Sequence, residues 1–139
     1  MFRVRTAASL LLLAMSTLLS TGASEEDWPH FRGPNSAGVS AESKPLPVEF
    51  SAEKNVRWSK KLGDGIGCPV VAAGRVFTSA MVDEETIGLY GFDAATGKQL
   101  WMRKWPIGDI APVHKTNSHA ATTPAADSER VYFYFATLG

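Results

Sequence analysis

Residues 89–101 read LYGFDAATGKQLW, and the reading of this stretch decides the fold. Its first four residues suit a β-strand and its last three open another, so the six between them, DAATGK, must reverse the backbone. Asp93 can accept hydrogen bonds from N–H groups one or two residues on, and Thr96 can do the same with its hydroxyl. Gly97 supplies the positive φ that closes a tight turn. A calcium loop would need several oxygen ligands at alternating positions, whereas only Asp93 and Thr96 are offered. The polar residues are therefore read as turn chemistry rather than as a metal site.

On either side of this turn lie further short β-like runs: residues 56–58 (VRW), 69–72 (PVVA), 75–81 (RVFTSAM), 87–92 (IGLYGF) and 99–105 (QLWMRKW). Ala73 and Gly74, then Asp83, Glu84 and Glu85, separate them with turn-like composition. Beyond the first two dozen residues no segment carries a helical stripe. Residues 24–55 hold Pro29, Gly33, Pro34, Gly38, Pro45 and Pro47 and are read as an extended arm.

The runs repeat. Pro69, Arg75 and Val76 recur as Pro124, Arg130 and Val131, each 55 positions on, and Trp58 recurs as Trp101, 43 positions on. A unit of about 43 residues with four short strands has the size of a propeller blade. A sandwich gives no reason for the same tryptophan to return. The expected fold is an all-β propeller of four-stranded antiparallel blades, with about one and a half blades present. An outer strand is placed at 56–62, a full blade at 66–105, a long loop at 106–122 and the start of the next blade at 123–139. Trp58 and Trp101 are expected to fill the wedge between adjacent blades. Because each blade buries its faces only against neighbours, the chain is expected to be an amino-terminal fragment that needs further blades or a partner to close a ring. The run VYFYFATL is expected to leave an unguarded edge.

Composition limits the rest. With 45% hydrophobic and 20% charged residues the chain is globular, and 14 basic against 14 acidic residues without a basic block argue against nucleic acid as partner. Arg3 and Arg5, an apolar run over residues 7–19 and the small residues Thr21, Gly22 and Ala23 read as a secretory signal peptide cut after Ala23. The run is too short to span a membrane, so a periplasmic or secreted chain without a span after cleavage is expected. Cys68 has no second cysteine with which to form an internal bridge. It is read as a small buried residue at a strand entrance, with a reactive or intermolecular thiol as the alternative.

The patterns CPVVAAGRVF and LYGFDAATGKQLW, with the arm DWPHFRGPNSAGVS, resemble the repeat of the pyrroloquinoline-quinone-like β-propellers of secreted bacterial type. Phe92 stands where that family often has leucine. The resemblance covers residues 27–139 and implies the propeller fold but no single function, because the repeat serves both quinone-dependent dehydrogenases and non-catalytic assembly scaffolds. It implies, for a dehydrogenase, pyrroloquinoline quinone (PQQ) with calcium, held by a vicinal disulfide and a Glu, Asn and Asp set near a catalytic Asp. None of these can be carried onto a position of this chain. The expectation is an exported scaffold or binding module of the cell envelope with no catalytic, cofactor or metal residues. The alternative is the amino-terminal part of a PQQ-dependent dehydrogenase.

One segment exceeds the repeat. The link from Trp101 to Pro124 is 12 residues longer than that from Trp58 to Pro69, and it gathers His114, Lys115, Asn117 and His119. It reads either as a solvated loop in which Asn117 and Ser118 cap a turn, or as a ligand-contacting rim. The two histidines lack the spacing of a zinc motif. The glycines of GDGIG (63–67) precede a strand-like run rather than a helix and are read as a flexible connection. His30 is read as packing the arm against the propeller.

Overall fold

The computed structural model describes residues 27–41, 45–108, 111–135 and 138. The signal peptide expected over residues 1–23 lies outside the described residues, as do arm residues 24–26 and 42–44. The described chain is all-β apart from one short 3-10 turn, Pro34–Ser36. Its strands are β1 (Val70–Ala72), β2 (Arg75–Asp83), β3 (Thr86–Asp93), β4 (Gln99–Pro106), β5 (Ala125–Ala126) and β6 (Val131–Tyr132). The first four form one antiparallel sheet in chain order, and β5 pairs with β6 in a separate two-stranded sheet.

Alternation along the strands gives the larger sheet two apolar faces. Val70, Phe77, Gly91 and Trp101 stand in register across all four strands. Gly91 has no side chain, so the Trp101 indole lies over it and reaches Phe77, ring centroids 6.0 Å apart. Ala126, Val131 and Phe133 complete this face, and Ile87, Ile107 and Phe135 close its other end. On the opposite face Val76, Ala80, Tyr90, Phe92 and Met102 are covered by Trp58 and Leu62 from the preceding segment. Tyr90 and Phe92 stack at 5.9 Å. Burying side chains such as Ile87 and Phe77 contributes roughly 1.5–3 kcal/mol each, and here that gain requires cover on both faces of one sheet.

Three reversals, of two, two and four residues, solve the same problem by different chemistry. Between β1 and β2, Ala73 (φ 49°) and Gly74 (φ 70°) both take left-handed backbone, the combination that suits a tight hairpin. Between β5 and β6 no residue has positive φ. Instead Asp127 Oδ1 accepts the N–H groups of Glu129 (2.7 Å) and Arg130 (2.6 Å). Asp83 Oδ1 accepts the Glu85 N–H at 3.0 Å between β2 and β3.

The arm is pinned along the edge strands β1 and β5. Trp28 exchanges two backbone hydrogen bonds with Val71 (2.8 and 2.9 Å), and the Pro29 carbonyl accepts the Ala126 N–H at 2.8 Å. Asp27 Oδ1 accepts the Ala73 N–H at 3.0 Å. Val71 and Ala126 occupy the same register position in their sheets, so the arm bonds the equivalent residue of each. His30 is half-buried in this stretch, its Nδ1 3.1 Å from the Phe31 carbonyl.

Three expectations are corrected. Residues 56–62 form no strand, because among the described residues no neighbouring strand offers them a hydrogen-bonding edge; they run as an extended segment held by side-chain packing. Cys68 is exposed rather than buried. It lies ahead of β1, its N–H bonded to Thr123 Oγ1 at 3.0 Å, and Val70 takes the buried position instead. Residues 63–67 are wedged, not loose. A Cβ at Gly63 would run into the Met81 carbonyl, and one at Gly67 would lie 2.5 Å from the Thr122 carbonyl.

Candidate functional site

The turn that opened the sequence reading is closed by its own residues. Asp93 Oδ1 accepts the Thr96 N–H (2.8 Å) and hydroxyl (2.6 Å), and Thr96 Oγ1 accepts the Lys98 N–H at 3.2 Å. The Asp93 bonds reach three residues on, one further than the sequence suggested. These bonds, the Thr96 hydroxyl first and its N–H second, hold the Asp93 carboxyl below its ordinary pKa of 3.8. Gly97 has φ 69°, and the Trp58 ring rests on it where a side chain would stand. Trp58 Nε1 donates to the Ala94 carbonyl at 2.8 Å, and its ring lies 6.2 Å from that of Phe92. Asp93, Thr96, Gly97 and Trp58 thus form one docking joint, with Trp101 on the opposite face of the sheet.

The long loop forms one wall of a cleft of about 400 Å³. Asn117, Ser118 and His119 face Gly63, Asp64 and the β2–β3 reversal, with Met81, Val82 and Val113 as its apolar lining and Asp83 and Glu84 at its edge. Backbone pairing fixes the walls: the Met81 N–H donates to the Asp64 carbonyl at 2.6 Å and the Gly67 N–H to the Ala120 carbonyl at 3.4 Å. The glycines at 63, 65 and 67 permit this close approach, a role that composition alone disguises as flexibility.

The four loop residues divide. Asn117 and His119 line the cleft, whereas His114 and Lys115 are exposed and do not. His114 Nδ1 lies 2.8 Å from Thr116 Oγ1, and its carbonyl accepts the Asn117 N–H at 2.7 Å, so it caps a turn. Asn117 Oδ1 accepts the Ser118 N–H at 2.9 Å, and the buried Ser118 hydroxyl accepts the Ala120 N–H at 3.2 Å. His119 is half-buried with its Nδ1 shielded from solvent and without a hydrogen-bond partner. An unmet polar atom of this kind costs about 1–3 kcal/mol.

The electrostatics are acidic. Asp64, Asp83 and Glu84 all border the cleft. The Thr86 hydroxyl, then the Glu85 N–H, lower the Asp83 pKa from its ordinary 3.8 and so favour its charged form. Such a cleft can receive hydrogen-bond donors or positive charge. Among the described residues no three His, Cys, Asp or Glu side chains group as metal ligands. Sequence reasoning passed over Asp64, Met81 and Val82, which lie in a glycine-rich connection and at a strand end; the glycine spacing of GDGIG was the signal of close backbone approach. In comparisons with protein-family models, curated proteins and solved structures, nothing matches this chain.

Proposed function

We propose that the chain is part of an exported β-propeller of the quinoprotein-like repeat type, acting as a non-catalytic scaffold or binding module of the cell envelope. The observation that carries this reading is a repeated register. Val70 pairs with Phe77 and Val71 with Val76, and, 55 positions on, Ala125 pairs with Tyr132 and Ala126 with Val131. Units that recur with the same pairing and need cover on both faces support stacking of one blade on the next. Trp58 seated on the turn at 93–97, with Trp101 at the corresponding place of the following unit, supports the same arrangement.

The binding surface of such a module is the cleft of Asn117 and His119. The residues do not fit the PQQ and calcium that a dehydrogenase of this repeat would carry. Cys68 is the single cysteine of the chain, so a vicinal disulfide cannot form, and among the described residues no three His, Cys, Asp or Glu side chains group as metal ligands. No redox step is derived through that group. The test adds PQQ and calcium to the full chain and follows dye-coupled alcohol oxidation and the cofactor absorbance. Neither is expected, and turnover would overturn the non-catalytic assignment. For the binding assignment, small-molecule screening by ligand-observed NMR is expected to give hits that His119→Ala weakens and His114→Ala leaves alone. Equal responses to both changes would remove the cleft from the argument.

A further inference from the structure

The cleft beside the long loop is charged on one side only. Met81, Val82 and Val113 make its walls apolar, and Asp64, Asp83 and Glu84 border them. Among the described residues no lysine or arginine lines it. Lys104 acts on Asp83 from outside this lining, and more weakly than the turn's own hydrogen bonds.

The main chain brings the three carboxylates together. The Asp64 carbonyl accepts the Met81 N–H at 2.6 Å, which fixes residue 64 against the end of β2. Gly63 lies so close to the same strand that a Cβ there would run into the Met81 carbonyl. Asp83 and Glu84 follow two and three residues after Met81, at the reversal into β3. Asp83 commits Oδ1 to the Glu85 N–H at 3.0 Å, and Asp64 and Glu84 are exposed. Like charges held side by side repel an anion and attract a cation. The space between the walls, about 400 Å³, is within the range of small-molecule sites.

We infer that the cleft binds a protonated primary amine on an aliphatic stem, a reading that rests on the cleft being the module's binding surface and narrows it to one ligand class. The ammonium head, with three donors and no acceptor, sits among Asp64, Asp83 and Glu84. Its stem lies against Met81, Val82 and Val113. A neutral apolar molecule would leave the charged border unused, and a carboxylate would be repelled by it. A lysine side chain divides into stem and head in the same way, so this chemistry can arrive as a free alkylamine or on a peptide.

The test titrates the full chain at neutral pH with n-pentylamine, pentanol and pentanoate, which share one stem, and follows binding by ligand-observed NMR. Saturable binding of the amine is expected, with pentanol about tenfold weaker and pentanoate silent. Asp64→Asn combined with Glu84→Gln, two exposed and nearly isosteric changes, is expected to weaken the amine about tenfold, about threefold from each, and pentanol far less. Raising salt from about 20 mM to about 300 mM should weaken the amine and not pentanol, which tests the charge without any variant. Nα-acetyl-lysine amide separates the sources: binding equal to that of pentylamine assigns a peptide-borne lysine, and binding of pentylamine alone assigns a free amine. Pentanol binding as well as the amine, an amine affinity indifferent to salt and to the double change, or displacement of the amine by calcium at lower concentration would each overturn the inference. If the amine fails while other screened ligands still depend on His119, the amine class falls and the cleft stands. If no ligand responds to His119→Ala, the cleft falls with it.

Discussion

Replacing Trp58 by alanine removes the side chain that joins residues 56–62 to the sheet. The indole packs on Phe92 and Gly97 and donates to the Ala94 carbonyl at 2.8 Å. Truncation of a fully buried Phe or Trp costs about 3–5 kcal/mol. Trp58 is only half-buried, so roughly half of that, about 2 kcal/mol, is the packing loss. The lost hydrogen bond adds about 1 kcal/mol. A total of about 3 kcal/mol corresponds to a fall in Tm of roughly 10–13 °C for a domain of this size. Trp58→Phe keeps most of the ring contact and forfeits the N–H, so its cost should be nearer 1–1.5 kcal/mol. Urea unfolding followed by far-ultraviolet circular dichroism measures both, with an unchanged m-value required for the comparison. A loss below about 0.5 kcal/mol for Trp58→Ala, the range of ordinary surface changes, would mean that this segment does not cover the sheet in solution.

Further outcomes follow from the turns and the wedge. Ala73 stands at φ 49°, so Ala73→Asn should stabilise the chain by roughly 0.5–1 kcal/mol in the same titration, since asparagine tolerates left-handed backbone better. Gly63→Ala sets a Cβ against the Met81 carbonyl and should destabilise by roughly 1–3 kcal/mol, with loss of the cleft's ligand signals in NMR. Asp83, Asp93 and Asp127 all have carboxyl pKa values lowered from 3.8 by hydrogen bonds within their turns. Their contribution is complete above the ordinary carboxyl pKa and is lost as pH falls through the lowered folded values, so acid unfolding midpoints should shift less steeply with pH in Asp93→Asn than in the parent. Cys68 is exposed, so one thiol per chain should react with a disulfide reagent under native conditions, without the unfolding step a buried thiol would need.

The sheet was legible because its signals are local. Period-two alternation in RVFTSAM and the Asp-x-x-Thr-Gly turn specify strands and a reversal without distant information, and β2, β3 and β4 stand within two residues of their expected bounds. The segment at 56–62 was misjudged because strand formation needs an edge, and β-propensity in VRW cannot report whether an edge exists. Cys68 was misplaced for a similar reason: burial begins with Val70, where the sheet begins. In the cleft, Asn117 and His119 were visible as polar residues in an overlong loop. Their separation from His114 and Lys115 depends on a two-residue capping pattern within the loop, and Asp64 enters only through pairing with β2.

The arm at Trp28 and Pro29 bonds Val71 and Ala126, partners drawn from two separate sheets. A chain emerging amino-terminus first, from a ribosome or through a translocation pore, exposes the arm long before its second anchor exists. Trp28 can settle on the first sheet as soon as that sheet forms, but the latch on the second must wait until residue 126 has emerged. The strap is therefore locked only after a segment made much later, and a chain stalled between the two would present this tryptophan-bearing strap half fastened, open to chaperones and proteases alike.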